Sequence, residues 1–169
     1  MLIILGGLPG TGKTTIAREL ARQMGAVHLR IDSIEQALLD SGCLSPPINE
    51  AGYVAAYAVA GDNLGIGHTV IADSVNSISI TRNAWLAVAK RAGVSAVEVE
   101  VLCSDVEEHK RRVETRIADV SGLKLPTWQE VVAREYHPWN RAHIVMDTAG
   151  VSVEQNVRAL RGMLASPIG

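Results

Sequence analysis

The residues with the clearest chemical potential lie at positions 7–14, where an apolar run leads into the pattern Gly-x-x-x-x-Gly-Lys-Thr. Its glycines permit positive φ and a close approach of the backbone, so that successive N–H groups converge on phosphate oxygens. Lys13 is expected to reach the β- and γ-phosphates, and the Thr14 hydroxyl to bind Mg²⁺. The spacing predicts a phosphate-binding loop. The predicted nucleotide contacts in this loop are Gly7, Pro9, Gly10, Thr11, Gly12, Lys13, Thr14 and Thr15.

Two aspartates stand at the ends of predicted strands. Asp32 follows the second strand and Asp73 follows the third. Ligands of open parallel sheets bind beyond the carboxyl ends of the strands, so both carboxylates are expected to face the phosphate loop. Asp32 is the candidate general base, with the alternative that it caps a helix starting at Ser33. Asp73 is expected to hold a Mg²⁺-bound water, and so to serve the metal with Thr14, or to position the acceptor; the alternative is a turn residue.

A charged helix predicted at 105–118 carries Arg112 and Arg116. The two arginines are four residues apart and therefore share one face. Such a helix can close over the phosphates and supply an arginine in cis, so both are predicted, with Lys13, to take part in catalysis. The alternative is a solvated face on which Glu108 and Arg112 form a weak surface ion pair.

Acceptor pockets of such enzymes are built between the second and third strands, here residues 33–67. Nothing in that segment is diagnostic of a sugar, an antibiotic or a nucleotide. The predicted substrate-binding residues are Asp32, Tyr53, Tyr57, Asn76 and Arg82. Later in the chain, Trp128, Tyr136 and Trp139 supply half of the six aromatic residues, and they are expected to form either a small core of their own or a wall against a ligand.

Strand and helix patterns alternate along the chain. Strands are predicted at 2–5, 27–31, 69–72, 94–102 and 142–146, and helices at 14–24, 33–41, 50–64, 80–92, 105–118, 128–136 and 153–164. This order predicts an α/β fold: a three-layer P-loop domain spanning 1–169, with a five-stranded parallel sheet in the order 2-3-1-4-5 and helices on both faces. A small helical lid is predicted at about 105–140.

Composition narrows the possible partners. The net charge is −2 and the isoelectric point is near 6.2, so no general attraction to nucleic acid or an anionic membrane is expected. Cys43 and Cys103 are far apart and fit no metal-ligand spacing. The apolar first residues enter the phosphate loop at once and are interpreted as a core strand rather than a signal peptide. We expect a cytoplasmic protein that is a monomer or a weak homodimer.

The whole set of motifs resembles the small P-loop kinases of the AAA-type group, to which zeta-type toxin kinases and chloramphenicol phosphotransferase belong. The resemblance is carried by the phosphate loop, Ile-Asp-Ser-Ile-Glu-Gln-Ala at 31–37, Val-Ile-Ala-Asp-Ser-Val-Asn at 70–76, the arginine-bearing lid, and Val-Met-Asp-Thr-Ala-Gly at 145–150. It implies transfer of phosphate from ATP, with Mg²⁺, to a small-molecule hydroxyl. It also implies that Asp32 is the base, that Arg112 or Arg116 contacts phosphates, and that Thr148, Ala149 and Gly150 border the adenine.

Some features depart from single members of that group. The segment from Thr127 to Trp139 has no counterpart in the chloramphenicol enzyme, and Glu35 stands where polynucleotide kinases place an arginine. The sequence therefore predicts an ATP-dependent kinase acting on an unidentified small molecule. Two alternatives stay open: a polynucleotide or nucleotide kinase, which the near-neutral charge disfavours, and a regulatory ATPase switch.

Overall fold

The computed structural model describes residues 1–165, and its centre is one parallel sheet. The strands are β1 (Leu2–Gly6), β2 (Val27–Arg30), β3 (Val70–Asp73), β4 (Ala96–Leu102) and β5 (Ile144–Asp147). Their order across the sheet is β2-β3-β1-β4-β5, and every neighbouring pair is parallel. The predicted α/β fold and strand order are confirmed. The first strand lies at the centre and its residues are fully buried, which agrees with its unbroken apolar sequence.

Helices cover both faces of the sheet. They are α1 (Lys13–Met24), α2 (Ile31–Asp40), α3 (Ala51–Gly65), α4 (Ser79–Arg91), α5 (Val106–Thr115), α6 (Trp128–Val132) and α7 (Val153–Ala165). Side chains alternate along β1, so Ile3 and Leu5 pack into the core beneath α1 and α7, while Leu2 and Ile4 pack with Trp85 beneath α3 and α4. The core thus has two halves, one on each side of the sheet.

The second helix begins earlier than the sequence predicts. α2 starts at Ile31, directly after β2, with Arg30 as its N-cap residue and no side-chain capping bond. Asp32 therefore lies in the first turn of α2 rather than capping a helix that starts at Ser33. The capping alternative is wrong, because an extended Arg30 already supplies the transition from strand to helix.

The helix that follows α5 is also shorter than predicted. A capping box, in which Thr127 and Glu130 bond each other's backbone N–H groups, starts α6, and the helix ends at Val132 instead of near 136. The chain then reaches the segment just before α4, where His137 N donates to Ser77 O (2.7 Å). The last part of the predicted lid therefore packs against the body of the domain.

The segment 136–143 covers one face of β4, which the alternating sequence predicts to be exposed. Glu98 is buried because Arg141 donates two hydrogen bonds to its carboxylate, and Tyr136 Oη donates to Glu100 (2.9 Å). Trp139 donates from its indole to Tyr136 Oη (3.0 Å). These two aromatics therefore hold a strap over the sheet and are neither a lid core nor a ligand wall.

Candidate functional site

The phosphate loop connects β1 to α1 and places Lys13 at the first helical position. The Lys13 side chain is buried, and its Nζ donates to Leu8 O (2.9 Å). Burial lowers the pKa of Lys13 to about 8, although the nearby carboxylates of Asp73 and Asp32 act in the opposite direction. The side chain is therefore a buried ammonium whose hydrogen-bond partner is a neutral carbonyl. An anionic ligand would stabilise its charge strongly.

Two glycines of this loop have backbone conformations that other residues adopt at a cost. Gly10 has φ +87° and Gly12 has φ +96°, and both line the cavity described below. A Cβ added at Gly10 would lie 2.5 Å from a methyl of Val113 on α5. The loop therefore needs glycine at position 10 both for its backbone angle and for close contact with the lid.

The lid helix α5 is docked directly on the phosphate loop. His109 is buried and its Nε2–H donates to Pro9 O (2.8 Å), because a carbonyl can only accept. The Trp128 ring meets the His109 ring edge to face, with centroids 5.2 Å apart. Of the three aromatics in this region, Trp128 is the one that contributes to the packing of the lid itself.

The two strand-end aspartates face the same cavity as Lys13. Asp73 is 2% exposed, and its Oδ2 accepts from His28 Nε2 (3.1 Å), which leaves its second oxygen for a ligand. Thr14 offers a hydroxyl in the same cavity. One carboxylate and one hydroxyl suit Mg²⁺, which takes oxygen ligands and usually keeps several waters or phosphate oxygens. The chemistry of these donors fits the predicted metal.

Asp32 belongs to an ion-pair network that the sequence does not predict. Arg30, at the end of β2, has a side chain that is 7% exposed; it donates to Asp32 Oδ2 (3.2 Å) and to both carboxylate oxygens of Asp119 (2.8 and 2.9 Å). Asp119 also pairs with Arg18 of α1 (2.6 Å). Despite partial burial, hydrogen bonds from Arg30 and Arg18 lower the pKa of Asp119. The network ties the loop after α5 to the candidate base.

The two lid arginines have different surroundings. Arg112 donates to the Thr148 hydroxyl (2.8 Å), to Thr148 O (3.0 Å) and to Glu108 (2.6 Å), so its guanidinium fixes the loop after β5. Arg116 is the C-cap residue of α5 and its backbone N donates to Arg112 O (3.2 Å), but its side chain forms no hydrogen bond or salt bridge with any residue in 1–165, and burial lowers its pKa. Both line the cavity, but Arg116 is the one whose guanidinium is available to a ligand.

The cavity has a volume of about 750 Å³ and is bounded by the phosphate loop, the ends of β2 and β3, α5, the segments on either side of α6 and the loop after β5. It is also lined by Glu35, Lys124 and Arg134, which the sequence motifs do not mark as site residues. Burial, and then the charge of Asp32, raise the pKa of Glu35. Its spacing of three residues from Asp32 in a helix was the available signal. Lys124 and Arg134 lie in a long irregular segment, where spacing gives no signal.

Several predicted site residues lie outside this cavity. Arg82 is buried and donates to four backbone carbonyls, at Ser77, Ile78, His137 and Pro138, and its guanidinium stacks on Trp139. Asn76 donates to Leu5 O (2.7 Å) and is fully buried. Both side chains therefore bind backbone carbonyls of this chain. These contacts explain why the two residues are charged or polar, and no contact with a substrate is needed to explain it.

The predicted aromatic contacts also stand back from the cavity. Tyr57 packs edge to face on Trp85 (4.6 Å between centroids), and Tyr53 packs against the same half of the core and does not line the cavity. Two of the predicted nucleotide contacts, Gly7 and Thr11, do not line the cavity; Gly7 N donates to Val75 O (2.9 Å) and Thr11 Oγ1 donates to Leu8 O (2.9 Å). Thr148 lines the cavity, whereas Ala149 and Gly150 do not. The phosphate loop's Pro9, Thr14 and Thr15 line it as expected.

Within residues 1–165, no group of three or more His, Cys, Asp or Glu side chains could hold a metal ion between them. No helix in the described part of the chain is both long enough and apolar enough to cross a membrane.

Comparison with known proteins adds a family to this geometry. The model of the AAA domain family matches residues 2–138, which hold the phosphate loop, both strand-end aspartates and the lid. The chain belongs to the AAA domain family. Uncharacterized proteins of Mycobacterium tuberculosis and Mycobacterium bovis are 31% identical to it over 164 residues, a match that covers 88% of this chain and 32% of each relative. The chain thus spans about a third of the length of these curated relatives.

Solved structures of similar fold include nucleotide complexes. The APS kinase of Mycobacterium tuberculosis with AMPPNP and APS has a TM-score of 0.73 and 17% identity, covering 98% of this chain and 97% of that chain. Chaetomium thermophilum Kti12 in complex with ADP-AlF3 has a TM-score of 0.69 and 24% identity, covering 98% of this chain and 100% of that chain. A gluconokinase from Sinorhizobium meliloti has a TM-score of 0.65 and 18% identity, covering 96% of this chain and 90% of that chain. The AAA domain chain therefore has the α/β fold of P-loop kinases.

Proposed function

We propose that the protein is a kinase that transfers the γ-phosphate of ATP, with Mg²⁺, to a hydroxyl of a small molecule. One observation carries the proposal: Lys13, Thr14, Asp73, Asp32 and Arg116 line a single cavity. Phosphoryl transfer needs a phosphate cradle, metal ligands, a group that accepts the proton and a cation for the developing charge, and each is present there. The kinases of similar fold support the same reaction class.

In this mechanism the triphosphate lies on the phosphate loop, and Lys13 binds its β- and γ-phosphates. The Thr14 hydroxyl and the Asp73 carboxylate would hold Mg²⁺, which neutralises charge on the β- and γ-phosphate oxygens. Thr148 and the loop after β5 border the base of the nucleotide. Arg112 contributes by holding that loop in place, since its guanidinium is bound to Thr148.

The acceptor enters from the α2 side, where Asp32 lies. The acceptor oxygen forms the new bond to the γ-phosphorus, the bond from that phosphorus to the bridging oxygen breaks, and ADP leaves. The proton of the acceptor hydroxyl passes to Asp32, and Arg116 stabilises charge on the moving phosphoryl group. Arg30 orients Asp32 through the 3.2 Å hydrogen bond.

The test is transfer from γ-labelled ATP to pools of hydroxyl compounds, followed by the same assay on Asp32→Asn. Asp40→Asn, at the exposed end of the same helix, is the matched control. We expect Asp32→Asn to lower kcat roughly a hundredfold or more at unchanged ATP affinity, as for loss of a general base. Turnover within a few fold of wild type would remove Asp32 from this role.

The same assay separates the alternatives. Efficient labelling of a single-stranded oligonucleotide with a free 5′ hydroxyl would assign a polynucleotide kinase instead. Slow ATP hydrolysis that no hydroxyl compound accelerates, with a protein partner retained only in ATP, would assign a regulatory switch.

A further inference from the structure

We propose that the acceptor carries an acidic group, a carboxylate or a phosphate, and that Arg134 binds it with Lys124 nearby. This inference rests on the proposed kinase reaction and names the chemical class of its substrate. It follows from the charges that line the cavity, their existing partners and the position of Arg134.

The lining of the cavity is positively charged. Seven cationic and four anionic side chains line it, and one of the cations, Arg112, is paired with Glu108, which is not part of the lining. The lining together with Glu108 therefore carries an excess of two positive charges, which favours anionic ligands.

Existing ion pairs show which cations remain available. Arg18 and Arg30 are paired with Asp119, and Arg112 is paired with Glu108. The four other cationic residues of the cavity form no salt bridge within residues 1–165; they are Lys13, Arg116, Lys124 and Arg134. Lys13 and Arg116 are assigned to the phosphates of ATP, which leaves Lys124 and Arg134.

Arg134 is held on the acceptor side of the cavity. It follows α6, which is fixed by its capping box and by fully buried Val131. Its side chain lines the same cavity as Lys13 of the phosphate loop and Asp32 and Glu35 of α2. A guanidinium there can form two parallel hydrogen bonds with a carboxylate or a phosphate while the acceptor hydroxyl faces Asp32.

A competing role for Arg134 is direct contact with the γ-phosphate. The two roles differ in which ligand loses affinity on substitution. A nucleotide contact would weaken the binding of AMPPNP itself, whereas an acceptor contact would weaken only the acidic compound.

The experiment measures binding without phosphoryl transfer. Wild-type protein saturated with AMPPNP and Mg²⁺ is titrated, by calorimetry and thermal shift, with sugar acids, hydroxy acids and sugar phosphates, each beside a neutral polyol of the same size. The variants are Arg134→Gln, Arg134→Lys and, as a matched control, Arg91→Gln, an exposed arginine at the end of α4 that does not line the cavity.

We expect acidic compounds to bind wild type and the control, and their neutral counterparts not to bind. Arg134→Gln should weaken that binding about tenfold to a hundredfold, which is the affinity expected to be lost with a charge-assisted hydrogen-bonded pair. The affinity for AMPPNP should be unchanged. Arg134→Lys should keep part of it, because lysine supplies the charge without the planar pair of donors. The sugar-acid and sugar-phosphate series decide between carboxylate and phosphate.

Equal binding of neutral and acidic compounds, or a failure of every acidic compound to bind wild type more tightly than Arg134→Gln, would overturn the inference. Loss of AMPPNP affinity in Arg134→Gln would assign the residue to the nucleotide. In the assay with γ-labelled ATP, transfer of phosphate to neutral hydroxyl compounds alone would support the proposed kinase reaction and refute the acidic acceptor. Binding of acidic compounds, none of which is phosphorylated in that assay, would support an anion site at Arg134 and refute the kinase reaction.

Discussion

Replacement of Lys13 by methionine should stabilise the protein in the absence of nucleotide while it abolishes the response to ATP. The reason is the burial of the Lys13 ammonium, which lowers its pKa from 10.5 to about 8. A cation whose pKa is lower in the folded chain than in the unfolded chain destabilises the fold wherever it is charged. Methionine keeps most of the volume and removes the charge.

The magnitude follows from the size of that pKa shift. One pKa unit corresponds to about 1.4 kcal/mol, so a shift from 10.5 to about 8 corresponds to roughly 3 kcal/mol at neutral pH. That shift already includes the favourable charges of Asp73 and Asp32, and the substitution also removes the hydrogen bond to Leu8 O, which reduces the gain. We expect a net increase of about 1 to 2 kcal/mol in the free energy of unfolding, or roughly 2 to 8 °C in Tm.

The pH dependence gives a second check. Between about pH 8 and 10.5 the folded wild type loses the Lys13 proton before the unfolded chain does, so the unfolded chain binds more protons and wild-type stability rises with pH. The advantage of the variant should therefore be largest below pH 8 and shrink towards pH 10.5. Urea unfolding at pH 7 and pH 9.5 measures it, with exposed Lys90→Met as the control. A variant that is less stable than wild type at pH 7, or an advantage independent of pH, would refute the burial argument.

Three further predictions concern the supports of the site. Gly10→Ala should weaken AMPPNP binding at least tenfold by titration, because its positive φ and the lid leave no room for a Cβ, whereas Gly61→Ala in open space should not. Asp119→Asn should lower unfolding free energy by about 1 to 3 kcal/mol in urea, since the buried arginine of β2 loses its bidentate partner. Arg141→Met should cost about 3 to 5 kcal/mol by leaving Glu98 buried without its cation, and Glu98→Gln in the same chain should recover much of it.

The fold and the phosphate loop could be predicted because their signals are local. An unbroken apolar strand, a glycine pattern and a helix follow each other within the first 24 residues, and the strand-end position of Asp73 follows from a four-residue apolar run. Each of these features depends on near neighbours in sequence. The strand order then follows from the parallel connections, and the structure has that order.

The polar network of the site could not be predicted, because its members are distant in sequence. Arg30 and Asp119 are 89 residues apart, and Arg141 meets Glu98 across 43. Arg82 is one of the predicted substrate residues, yet the strap gives it backbone carbonyls to bind. Periodicity identifies which face of an element is apolar, but it contains no information on which charged residue a distant segment brings to that face.

Three of the contacts between the lid and the body belong to different parts of the candidate site. The three contacts are His109 to Pro9, Arg112 to Thr148, and Asp119 to Arg30. They connect the lid to the phosphate loop, to the loop beside the nucleotide base and to the arginine that orients Asp32. Since all three lie within or just after a single helix, movement of that helix would disturb the nucleotide site and the candidate base together. A ligand that holds this helix in place therefore supports both halves of the reaction, and an acidic acceptor bound to Arg134 would connect the segment after α6 to the same cavity.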